Sequence, residues 1–141
     1  MAEYTGFAGL FKTQISGTYT TVAQVRDISG PMMSRDTIEV TSRDSTGQAR
    51  EYLAGLLENG EVAFDIVYDP DTTTHSASAT GGLITLLAAG TQNNFRVEFA
   101  DSTATTATFA GLVTKFEPGM PLNGAQTANV TVKVSGQITW A

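Results

Sequence analysis

Over residues 126–140 apolar and polar side chains alternate without a break. Ala128, Val130, Val132, Val134, Gly136, Ile138 and Trp140 share one parity, and Asn129, Thr131, Lys133, Ser135, Gln137 and Thr139 the other. That is the period of two expected of a strand with one buried face. At roughly 3.3 Å per residue the strand would run about 45–50 Å and needs a partner of similar length. Residues 105–117 supply it: Ala107 and Phe109 lie on one parity, Leu112, Thr114 and Phe116 on the other, and a bulge at Gly111 accounts for the switch. The connection over 118–124 carries Pro118, Pro121 and the Asn123-Gly124 turn signal, so residues 105–140 read as one long antiparallel hairpin. A valine-rich strand of this length left at a sheet edge recruits other chains; it has to be covered, paired within the fold or used for assembly.

Further strands follow from the same alternation. Val62, Phe64, Ile66 and Tyr68 share a face in 61–68, Phe95, Val97 and Phe99 point inward in 94–100, and Ile38 and Val40 alternate with Glu39 in 37–41. Residues 17–28 are assigned to a strand on their threonines. Tyr52, Leu53, Leu56 and Leu57 fit a single helical turn or an irregular packed segment. The one persuasive helix spans 78–89, with Ser78 or Thr80 as its cap and Gly90 as its stop. Residues 1–16, with Tyr4, Phe7, Leu10, Phe11 and Ile15 in no regular period, form an N-terminal arm that packs back or docks on a neighbour. Residues 42–51 form a polar loop longer than a hairpin needs, read as a mobile excursion or as a protruding finger. The expected fold is mainly β, a β-sandwich or partly rolled barrel with one flanking α-helix, in a single domain over 1–141.

Composition narrows the function. The chain is 41% hydrophobic and only 16% charged, and it holds twenty-two threonines, which suits a strand-rich globular fold. A net charge of -6 with no basic run disfavours tight nucleic-acid binding. The absence of cysteine excludes a disulfide framework and a thiolate metal site. Met1-Ala2-Glu3-Tyr4 lacks the basic and apolar regions of a secretory leader, and no stretch approaches the ~20 apolar residues of a membrane span. The expectation is a chain made in the cytoplasm, with no direct membrane insertion.

No constellation of reactive groups stands out. The single His75 lies in a polar stretch and reads as a surface histidine rather than part of a Ser-His-Asp triad. Asp69 and Asp71 lack the further ligands of a Ca²⁺ loop. Asp65 and Glu98 sit on polar strand faces where charges are the default, so they do not argue for a glycosidase. Gly81-Gly82 lacks the lysine and spacing of a phosphate loop, and Asn129-Val130-Thr131 is a mid-strand sequon with no leader. The reading is no enzyme, no catalytic residues, no metal and no cofactor.

The order and spacing of 60–64, the helix of 82–90 running directly into the Phe95 to Phe99 strand, Phe109 to Pro121, and the closing Val130 to Trp140 strand resemble the major tail tube proteins of long, non-contractile-tailed phages. The resemblance spans 22–140. It implies a β-sandwich with a flanking helix, and a structural virion protein whose copies close into hexameric rings that stack as a tube for genome ejection. Edge strands would then pair around the ring. It implies a ring-stacking interface at Phe7, Phe11, Arg43, Asp44, Gln48, Arg50 and Glu51. Lumen candidates come from polar strand parities: Glu39, Glu61, Asp65, Glu98, Thr131, Ser135 and Gln137. An acidic, hydroxylated lumen lets DNA pass without sticking, and Arg96 and Lys133 count against a wholly acidic lining. The implied partners are further copies of the chain, a tape measure protein, a tail terminator and distal tail proteins, met in the virion tail after assembly in the host cytoplasm. A β-sandwich decoration or carbohydrate-binding module, and the tube protein of a related secretion system, are the alternatives.

Overall fold

The computed structural model describes residues 5–141, so Tyr4 of the expected arm lies outside the described residues. The strands are β1 (Leu10–Ile15), β2 (Thr18–Thr21), β3 (Val25–Ser29), β4 (Ser34–Glu39), β5 (Tyr52–Glu58), β6 (Glu61–Val67), β7 (Asn93–Glu98), β8 (Thr106–Gly119) and β9 (Thr127–Trp140), with one helix, α1 (Leu83–Ala89). Seven strands form an antiparallel sheet in the order β2-β1-β7-β8-β9-β6-β3, while β4 and β5 pair only with each other.

Connectivity forces the large sheet to roll. Its edge strands β2 and β3 are joined by Val22, Ala23 and Gln24 alone, a link that reaches at most ~14 Å. In a flat sheet at about 4.8 Å per strand those edges would lie roughly 29 Å apart. The sheet therefore curls until β1 touches β3. Phe11 of β1 and Phe64 of β6 meet across the interior at 4.4 Å between ring centroids, although flat spacing would hold their strands about 19 Å apart. Phe95 and Phe109 continue the aromatic row at 5.6 and 6.0 Å, and Val62, Ile66, Val130 and Val132 fill the space around it. This is the partly rolled form of the expected fold.

The long hairpin is present as expected, and its edges are covered over about half their length. β8 pairs with β7 over its first half and with β9 along most of its length, and β9 also pairs with β6 over Thr127 to Lys133. The outermost strands are the four residues of β2 and the five of β3, both short and polar, while 112–119 of β8 and 135–140 of β9 have one strand partner each and leave their other side open. The parity switch in β8 is also displaced. Val113 is buried and Leu112 exposed, and the register shifts between Val113 and Lys115, so the extra residue is Thr114. Gly111 stays on the inner parity because a Cβ there would lie 2.8 Å from the Lys133 carbonyl oxygen.

The other departures have local causes. Residues 10–15 of the expected arm form an interior strand of the sheet. The single strand expected over 17–28 is two, one at each edge. The helix starts at Leu83 rather than residue 78, because Gly81 takes a left-handed φ of 79° that no helix tolerates, and Ser76 Oγ instead accepts the Ser78 and Ala79 N–H groups. α1 inserts Leu83 and Leu86 into the core, packs on β8 and ends at Gly90.

His75 is not a surface residue: it is fully buried. Its Nδ1 accepts the Asp69 N–H at 3.2 Å, which places the proton on Nε2, and Nε2–H donates to the Ala23 carbonyl at 2.6 Å. Thr74 Oγ1 accepts the Ala23 N–H at 3.1 Å. Together these side chains occupy both backbone groups of the residue that bridges the two sheet edges, so they lock the seam of the roll. His75→Ala leaves that carbonyl unpaired beside a void and is expected to lower unfolding free energy by about 2–4 kcal/mol. Urea denaturation measures it; a loss below roughly 0.5 kcal/mol, the surface value, returns the residue to an outer position.

Candidate assembly surface

β4 and β5 leave the sheet as an isolated ribbon. Register pairs Ile38 with Leu53 and Glu39 with Tyr52, and a bulge in β5 separates these from Arg35–Leu57. Ile38, Val40 and Leu53 share one face, while Thr37, Glu39, Ala54 and Tyr52 share the other. The alternation of 52–57 is hidden because its apolar residues fall on both faces, Tyr52 and Leu57 on one and Leu53 on the other, with Leu56 at the bulge. Among the described residues nothing covers the apolar face. Leu53 and Ile38 are more than half exposed and Leu56, at the bulge, is 85% exposed. A lone two-stranded ribbon is marginal in water, and an uncovered apolar face marks an interaction surface.

The ribbon tip is the expected polar loop, residues 42–51, ordered by a short 3-10 turn at Thr46–Gln48. Glu51 serves the loop itself, since its carboxylate accepts the Ser45 hydroxyl at 2.8 Å and its N–H donates to Thr41 Oγ1. Arg43, Asp44, Gln48 and Arg50 are exposed, and among the described residues their side chains have no hydrogen-bond or ion-pair partner. Of the two arm phenylalanines, Phe7 is 97% exposed beside a groove of about 630 Å³ that Ile28 and Phe99 also line. Phe11 is not available for stacking contacts, because it is wholly inside the core. Phe99 lies at the surface rather than inward, stacked on Trp140 at 5.8 Å.

The turn after β7 carries a shifted carboxylate, the only one among the described residues. Asp101 accepts the Thr105 hydroxyl and, at 2.7 Å, the Thr105 N–H, with the Thr103 hydroxyl at 3.3 Å. The Thr105 hydroxyl, then the N–H, hold its pKa below the ordinary 3.8. A lowered folded-state value means the stabilisation is present above pH 3.8 and is lost as pH falls through the folded pKa. The stability gap between the parent and Asp101→Asn is therefore expected to close on acidification through that window; a gap unchanged across it removes the charge from the turn.

The outward face of the sheet gathers most of the polar candidates. Glu61 and Asp65 on β6, Thr131 and Ser135 on β9 and Glu98 on β7 all project away from the core. Glu39 stands apart on the ribbon and Gln137 lies beyond the β9 bulge at Gly136. Asp65 and Glu98 lie three strands apart and, through the registers Asp65–Asn129–Glu117 and Glu98–Thr106, at opposite ends of β8, too far for a glycosidase pair. Most cations of this face are engaged: Lys12 with Glu98 at 2.9 Å, Lys115 with Glu117 at 3.3 Å, Lys133 with Glu58 at 3.3 Å, and Arg96 over the Tyr19 ring at 4.0 Å, whereas Arg26 on β3 is exposed with no ion-pair partner among the described residues. Among the described residues Glu61 and Asp65 have no ion-pair partner.

A family model described as lambda phage tail tube protein, TTP, matches residues 3–141. The chain belongs to the lambda phage tail tube protein family. A tail tube protein is a structural subunit of the virion tail. Solved structures share the fold. The tail of an empty gene transfer agent particle, refined with C6 symmetry, matches at a TM-score of 0.73 with 22% identity over 94% of each chain. The virion of a native gene transfer agent particle matches at 0.74 with 21% identity over 99% of each. The SPP1 tail tube matches at 0.70 with 11% identity, covering 98% of this chain and 78% of that one. No curated protein matches.

Proposed function

We propose that copies of this tail tube protein close into hexameric rings that stack into the conduit through which the phage genome is ejected. The observation that carries the reading is the ribbon of β4 and β5, whose apolar face none of the described residues covers. In a ring that face packs on the neighbouring copy, and the tip at Arg43, Asp44, Gln48 and Arg50 reaches the next ring, where Phe7 also docks. The six-fold tail of the gene transfer agent supports the ring number.

The outward sheet face suits a lumen. With Lys12, Lys115, Lys133 and Arg96 held by internal partners and Arg26 the one cation there without a partner among the described residues, Glu61 and Asp65 set a net negative local potential, and a phosphate backbone finds little on which to release counterions. Glu39 and Gln137 extend the polar lining if the ribbon's polar face turns the same way. A tape measure protein inside the growing tube and terminator and distal proteins at its ends complete the assembly, in the host cytoplasm. A carbohydrate-binding module is disfavoured because the interior takes Phe11, Phe64, Phe95 and Phe109.

Negative-stain electron microscopy of purified protein at rising concentration tests the reading. Rings or hollow filaments are expected, and deletion of residues 45–49 should preserve the fold while blocking stacking. Monodisperse monomers under all conditions would refute it.

A further inference from the structure

Where the ribbon leaves the sheet, a cleft of about 510 Å³ opens between Arg35 and Leu57 on one side and Lys133, Val134 and Gln137 on the other. Asn59 lines it and is 4% exposed. Its Nδ2–H donates to the Gly136 carbonyl, but its Oδ1 is buried with no partner among the described residues. A buried amide oxygen without a donor is costly, and native structures rarely keep one without a use. Lys133 is committed to Glu58, whereas Arg35 spends one N–H on the Gly55 carbonyl and keeps further donors. The cleft thus asks for an occupant that brings a hydrogen-bond donor and a carboxylate.

We propose that the cleft receives the ribbon tip of a second copy, with the Gln48 amide donating to Asn59 Oδ1 and the Asp44 carboxylate lying against Arg35. The inference rests on the tube reading and names the receptor for its stacking contact. Two features of the tip match the demand. Its donors and the Asp44 carboxylate are unspent within the chain, and Gln48 is held at a left-handed φ of 56° directly after Gly47 at 67°, a backbone cost that nothing in its own side-chain contacts repays. Geometry adds a third point. Tip and cleft are the two ends of one ribbon, so each copy gives one contact and receives one, and a tip-to-base contact repeats along an axis without closing on itself.

The chain has no cysteine, so thiol cross-linking has no background. Chains carrying Gln48→Cys and chains carrying Gln137→Cys are mixed, assembled into tubes and oxidised. A disulfide-linked dimer is expected from the mixture and not from either variant alone, nor when Thr103→Cys replaces Gln48→Cys, because the bond forms only with Cα atoms about 4.4–6.8 Å apart. Tubes without the dimer overturn the inference and leave the tube reading standing; a parent chain that forms no tubes overturns both. If the cysteine variants alone fail to assemble, Gln48→Ala decides. It should raise the concentration needed for tubes on the order of tenfold, the value of one such hydrogen bond, with Tm unchanged. An unchanged threshold sinks the proposal.

Discussion

Replacing Leu53 by Asp is expected to abolish tube formation while leaving the isolated subunit folded and within about 0.5 kcal/mol of the parent. The asymmetry follows from where Leu53 sits. It is more than half exposed and pairs across the ribbon with Ile38, itself uncovered, so the monomer loses almost no burial. In the proposed ring the same position is desolvated. Removing a buried leucine forfeits roughly 1.5–3 kcal/mol per contact, and an unpaired carboxylate in its place costs several kcal/mol more. Together these exceed about 4 kcal/mol, a thousandfold in the concentration needed to assemble. Sedimentation with electron microscopy reads the assembly, and thermal unfolding reads the subunit. Normal tubes from the variant would remove the ribbon's apolar face from the interface.

Phe11→Ala has the opposite signature. The ring is wholly buried, 4.4 Å from Phe64 and 5.6 Å from Phe95, at the point where the rolled sheet meets itself. Truncating it should cost about 3–5 kcal/mol, a large share of the ~5–15 kcal/mol that holds a domain of this size folded. The denaturant midpoint of the monomer should fall accordingly with its slope unchanged. Phe7→Ala, four residues earlier and 97% exposed, should leave that midpoint in place. A Phe11→Ala subunit as stable as the parent would return this phenylalanine to the surface arm that sequence pattern alone suggests.

The long hairpin was legible because its alternation survives thirteen or more positions, enough to absorb a bulge. The ribbon was not. β5 is seven residues long and interrupted, and a single bulge disguised its period. His75 misled for a related reason: a histidine among Asp, Thr and Ser looks solvated, and only the return of that segment to Ala23 buries it. The candidate site divides in the same way. Arg43, Asp44, Gln48 and Arg50 could be named from their polar surroundings, whereas Asn59 sits in an ordinary Asn-Gly turn signal and carries no mark of its unpartnered oxygen.

By itself the order of residues settled what is local: that the segments of sustained alternation in β6, β7, β8 and β9 are strands with one apolar face, that one helix stops at Gly90, and a composition without thiols or basic runs. Alternation and turn chemistry act between near neighbours, so they survive in one dimension. Which strands are interior, where the roll closes, and which apolar face remains uncovered were decided only in three dimensions. Those properties depend on residues far apart in the chain, Ala23 with His75 or Phe11 with Phe64, whose meeting is a consequence of a three-residue link drawing two sheet edges together.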